Sequence, residues 1–91
     1  MTDKNQALIN KGIQADALLR SEVLLEAFNA LEAKYLATWK TTTGPESEAR
    51  EKLWLAIKVI EDVHNHLKRA VRDGKIAQDD INRMAGLNRA A

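Results

Sequence analysis

Apolar side chains recur at steps of three and four along most of this chain. Between Glu22 and Lys40 they are Leu24, Leu25, Phe28, Leu31, Tyr35, Leu36 and Trp39, with Glu22, Glu26, Asn29, Lys34 and Lys40 largely off that stripe. A helix turns once in 3.6 residues, so the spacing predicts an amphipathic helix with a wide apolar face. A longer stripe follows: Leu53, Ala56, Ile57, Ile60, Val63, His64, Leu67, Ala70 and Val71. Its complement, Arg50, Lys58, Glu61, Asp62, Asn65, Lys68, Arg69 and Arg72, reads as a solvated face. Before both, Leu8, Ile9, Ile13, Ala17 and Leu18 can share one face of a first helix. No segment alternates apolar and polar as a half-buried strand does.

Breaks in the pattern set the boundaries. Asp3 and Gln6 have capping-box spacing, with Asp3 placed to accept from first-turn amides. Ser21, followed by Glu22, reads as a fresh N-cap, so a bend or restart is expected near Arg20. "TTTGP", residues 41–45, removes helix formers and adds a proline that tolerates only the first turn of a new helix. Thr43 and Glu46 repeat the capping-box spacing there. Trp39 and Trp54 flank this break and are expected to be buried anchors closing its end. Gly74 in "DGK" reads as a C-cap, followed by a short last helix bearing Ile76, Ile81 and Met84 and by a loose "LNRAA" tail. The expectation is one all-α domain over 1–91, with helices at about 4–19, 22–40, 45–73 and 78–85. A short connection makes neighbours antiparallel, which gives a helical hairpin, a packed N-terminal helix and a short C-terminal helix.

Composition narrows what such a fold does. Ninety-one residues form a small core that is marginal alone, and with no Cys there is no disulfide to reinforce it. A partner chain is then the expected source of stability. Apolar residues at 45% and charged residues at 30% fit a folded soluble domain. "MTDKNQALINKGIQ" has no apolar run of the kind a secretory leader carries, and no stretch approaches the length of a membrane span. Neither secretion by a signal peptide nor membrane association is expected.

Candidate chemistry is sparse. His64 and His66 point about 200° apart on a helix, so they do not chelate one metal; a zinc-binding pair needs the i, i+4 spacing. Asp79 and Asp80 lack the spacing of a calcium loop, and Glu61 and Asp62 face different ways. No catalytic residue, metal site or cofactor is expected. Net charge is +1, yet residues 66–91 hold six basic against three acidic side chains. Lys68, Arg69, Arg72 and Lys75 are therefore candidate phosphate contacts, although cations near a helix C-terminus also complement its dipole. Among the apolar residues, Leu24, Leu31, Ile60 and Leu67 are expected in the intrachain core. Leu25, Leu36, Leu55 and Val59, nearer the stripe edges, are the candidate partner surface.

"LLEAFNALEAKYLATWK", the Gly-Pro break and "EAREKLWLAIKVIEDVHNHLKRAVRDGKIA" together resemble small helical proteins encoded by proteobacterial phages and prophages. The resemblance covers about residues 12–80; Trp39, Arg50–Trp54, His66-Leu67 and "DGKIA" carry it. It implies a phage-encoded protein of the host cytoplasm or the virion, with no catalytic residues to transfer. The expected function is a non-enzymatic protein–protein interaction module, a structural or assembly component that is homo-oligomeric or part of a larger assembly. The alternatives are a nucleic-acid-associated packaging subunit or regulator, and an inhibitor of a host protein.

Overall fold

A computed structural model describes the backbone of residues 2–90 and the side chains of residues 3–86. The protein is all-α, with no strand among the described residues. Helix α1 spans Thr2–Leu19, α2 spans Glu22–Thr41, a 3₁₀ turn spans Gly44–Glu46, and α3 spans Ser47–Ala90.

The break between α1 and α2 falls where the polar pattern places it. Ser21 has extended backbone angles, and its hydroxyl oxygen accepts from the Leu24 amide at 3.3 Å. That contact satisfies one of the first-turn donors that a helix leaves orphaned. The capping box expected at Asp3 does not form that way: α1 already includes Asp3, and Gln6 donates to Asn10 instead. At the second break Thr43 bonds to the Glu46 carboxylate at 3.3 Å rather than capping an amide.

The largest departure is at the end of the chain. α3 does not stop near Asp73, and no separate helix begins at Gln78; forty-four residues run without interruption, and "LNRA" continues the helix to Ala90. Ala91 lies outside the described residues. A glycine cap works by adopting a positive φ, and no glycine here does so. The sequence beyond Gly74 is rich in helix formers, and an interior glycine costs only about 1 kcal/mol relative to Ala.

Contacts divide the chain into two units, Ser21–Asn65 and Met1–Arg20 with His66–Ala91. The first comprises α2 and the N-terminal half of α3. Phe28 meets His64 edge to face with ring centres 6.2 Å apart. Near the connection, the Arg50 guanidinium lies 4.0 Å from the centre of the Trp39 ring. The half-buried residues of α2 are Leu24, Leu25, Phe28, Glu32, Tyr35 and Trp39; those of α3 in this unit are Arg50, Leu53, Ala56, Ile57, Ile60 and His64. With Leu24 and Ala56 set aside, both lists step by alternating threes and fours, the seven-residue repeat of a coiled-coil seam. No residue of Ser21–Asn65 is buried.

In the second unit, α1 meets the C-terminal half of α3 at glycines. A Cβ placed on Gly12 would lie 3.0 Å from the Ala70 carbonyl oxygen and 3.1 Å from the Gly74 Cα. One placed on Gly74 would lie 3.0 Å from the Leu8 carbonyl oxygen. The two backbones therefore touch, with glycine hydrogens directed at carbonyls as in weak Cα–H···O bonds. Ala15 and Ala77, three residues beyond each glycine, are 3% and 2% exposed and fill the crossing. Gly12, Ala15, Gly74 and Ala77 are the buried residues among those described.

Candidate interaction surfaces

One side chain, Arg50, reaches across the connection between α2 and α3. Arg50 Nη1 donates to the Thr42 carbonyl and to the Thr42 hydroxyl, each at 2.8 Å, with a longer contact of 3.4 Å to the Trp39 carbonyl. The Thr42 amide and hydroxyl donate in turn to the Trp39 carbonyl, at 3.1 and 2.6 Å. Arg50 thus caps the C-terminus of α2 from the first turns of α3 while its plane covers Trp39. It leaves the solvated face assigned to it by periodicity alone. A positive group at the negative end of a helix gains from the dipole as well as from the bonds.

Trp39 is half-buried beneath Arg50, as an anchor should be, but Trp54 is 51% exposed. Leu53 occupies the seam, and the next residue is rotated about 100° away from it. The Lys58 ammonium lies 5.4 Å from the centre of the Trp54 ring and covers it only in part.

Of the four residues expected at a partner surface, Leu36, Leu55 and Val59 are exposed, while Leu25 is half-buried on the seam. Leu31, expected in the core, is 41% exposed; Leu24, Ile60 and Leu67 are half-buried. Leu55, Val59 and Val63 follow one another at steps of four along α3 and are all exposed, Val59 by 59%. Residues four apart are neighbours on a helix surface, so these three make one continuous strip. Helix α2 adds Val23 and Leu31, with Ala27 and Ala30 between them. Periodicity alone counts Val63 with the core stripe, yet it is 44% exposed.

The basic candidates separate. Lys68, Arg72 and Lys75, spaced i, i+4 and i+7, share one edge of α3, and all are exposed. Arg72 lies 3.7 Å from Asp73. Arg69 faces elsewhere and lines a depression with Lys11, His66 and Asp73. Another depression, of about 300 Å³, opens beside the glycine crossing between Ile9, Ile13 and Val71. Asp16 and Arg20 stand at its rim, paired with each other at 3.0 Å.

His64 is packed against Phe28, and His66 lines the Lys11 depression, so the two rings have separate surroundings. No three His, Asp or Glu side chains converge as metal ligands among the described residues. No helix among them is long and apolar enough to cross a membrane. Compared with known proteins, the chain matches no family model, no curated protein and no solved structure.

Proposed function

We propose that the protein is a non-enzymatic helical interaction module whose α2–α3 pair is an antiparallel hairpin completed by another polypeptide. One observation carries this reading. Ser21–Asn65 has half-buried residues at coiled-coil spacing on both helices but no buried residue, and it leaves Val23, Leu31, Leu36, Trp54, Leu55, Val59 and Val63 in solvent. Exposed apolar surface concentrated in one segment marks a contact site. The contacts favour the hairpin: Phe28 pairs with His64 while the later Trp39 pairs with the earlier Arg50. The resemblance to phage-encoded proteins suggests the setting, a virion or its assembly.

The test is the size of the native particle. Chain recovered from a gently prepared lysate or virion fraction should sediment as a particle of at least twice its own 10.2 kDa and be identified there by mass spectrometry. Material sedimenting as a free 10.2 kDa chain in every fraction would end this reading.

A second reading has its own observation. Met1–Arg20 and His66–Ala91 together hold nine basic against five acidic side chains, and Lys68, Arg72 and Lys75 share one edge of α3. This is the footprint of a nucleic-acid-associated subunit, in which phosphate neutralisation supplies most of the affinity.

A further inference from the structure

We infer that the occupant of the exposed strip is a second copy of this chain, the two α2–α3 pairs closing into a four-helix bundle. The inference rests on the interaction reading and names its partner. In an antiparallel pair, the residues just before the first seam position of each repeat gather on one flank. Here they are Leu24, Leu31 and Thr38 on α2, with Ala49, Ala56 and Val63 on α3. Val59 and Leu55 continue this flank outward along α3. The opposite flank takes Glu22, Asn29 and Leu36 with Trp54 and Glu61, and so carries charge.

A two-stranded coiled coil places charged residues on both flanks of its seam. Apolar residues on the seam and on one flank are instead the pattern of a helix in a bundle, which has neighbours on two sides. The geometry then asks for a further helix pair, and two features point to a like one. First, the margin carries both signs, Lys34 and Lys52 beside Asp62. A twofold axis brings such a margin against itself without net repulsion, whereas a margin of one sign would select an oppositely charged partner. Second, the area is of the same order as a specific interface requires. Two helices about 30 Å long and roughly 10 Å wide present on the order of 600 Å² before corrugation. A stable interface takes about 800 Å² of accessible surface from each partner.

Sedimentation equilibrium on the purified full chain tests this. The wild type should show twice the 10.2 kDa chain mass in a concentration-dependent way. Val59→Glu should weaken association by about 100-fold or more while retaining the helical circular dichroism, because the charge is hydrated in the single chain and desolvated in the contact. Leu36→Glu, on the other flank, should change association little. Since the chain has no Cys, Val63→Cys provides a check that does not depend on tolerating a charge. A flexible thiol-reactive cross-linker should give a dimer with Val63→Cys and little with Leu36→Cys. A wild type that stays monomeric at all concentrations would overturn the inference, as would association lost on Leu36→Glu and spared by Val59→Glu. A chain that is monomeric when pure yet travels in a large native particle would overturn the second copy alone and leave the interaction reading standing.

Discussion

At the scale of the residue, the helical glycines fall into two kinds. Gly12 and Gly74 stand where a Cβ would lie 3.0 Å from a backbone carbonyl, whereas Gly86 has nothing within 4 Å of such a Cβ. Gly74→Ala gains about 1 kcal/mol of helix propensity. It also forces two backbones apart, and overpacking of this kind costs about 1–3 kcal/mol. A net loss of about 1 kcal/mol should lower the melting temperature by roughly 4–8 °C in a chain of this size. Gly86→Ala meets no such contact and should raise stability by roughly 0.5–1 kcal/mol. Thermal melts of the two variants decide the matter; equal stabilisation by both would mean that the glycine crossing is not a close contact. The double variant Gly12→Ala/Gly74→Ala should lose less than the sum of its parts, because once one methyl separates the helices the other finds space.

At the scale of the element, α2 is bounded by two caps of different origin. Ser21 caps its start from the adjacent residue, so a local pattern reveals it. Arg50 caps its end from the next helix, eleven residues beyond Trp39, so a local pattern does not. Arg50→Ala should cost roughly 1–3 kcal/mol, the usual range for hydrogen bonds to a charged group. Arg50→Lys should recover only part of that, because an ammonium can donate to the Thr42 carbonyl but does not stack flat on an indole as the guanidinium does. Amide exchange over residues 38–42 and the emission of Trp39 are the measurements. An Arg50→Ala protein with unchanged melting temperature and unchanged exchange there would show the cap to be dispensable. The length of α3 is likewise an element-scale outcome: a glycine that reads as a stop becomes an interior residue because another helix needs its missing side chain.

At the scale of the whole molecule, charge is unevenly shared. Ser21–Asn65 holds eight acidic against five basic side chains, and the remainder is basic by four, although the net charge of the chain is only +1. If the nucleic-acid reading holds, binding to duplex DNA should weaken steeply with salt. Each lost phosphate contact should reduce the slope of log K against log salt by roughly 0.9. Lys68→Gln, Arg72→Gln and Lys75→Gln should each reduce it, and Arg69→Gln, on another side of α3, should do so less. Fluorescence anisotropy with labelled DNA between low and physiological salt provides the measurement. An absence of binding at low salt would dispose of this reading without touching the apolar strip on α2 and α3.

Local features are legible in the chain alone. Helical periodicity, a Ser-Glu restart and the Thr-Gly-Pro break act over a few residues, so the all-α class and the breaks near Arg20 and Thr43 are legible there. The existence of an exposed apolar surface was legible too, through Leu36, Leu55 and Val59. The remaining features depend on residues far apart in the chain. Which of Leu53 or Trp54 faces the seam, and whether Leu25 or Leu31 lies in it, turns on the rotation of α2 against α3, a matter of packing that a wide apolar stripe leaves open by up to 100°. Arg50 became a cap because the Thr42 carbonyl and hydroxyl at the end of α2 come within 2.8 Å of its guanidinium. Gly74 lost its role as a stop because Gly12, sixty-two positions earlier, brings a second backbone to the same point, and only a residue without a side chain fits between them.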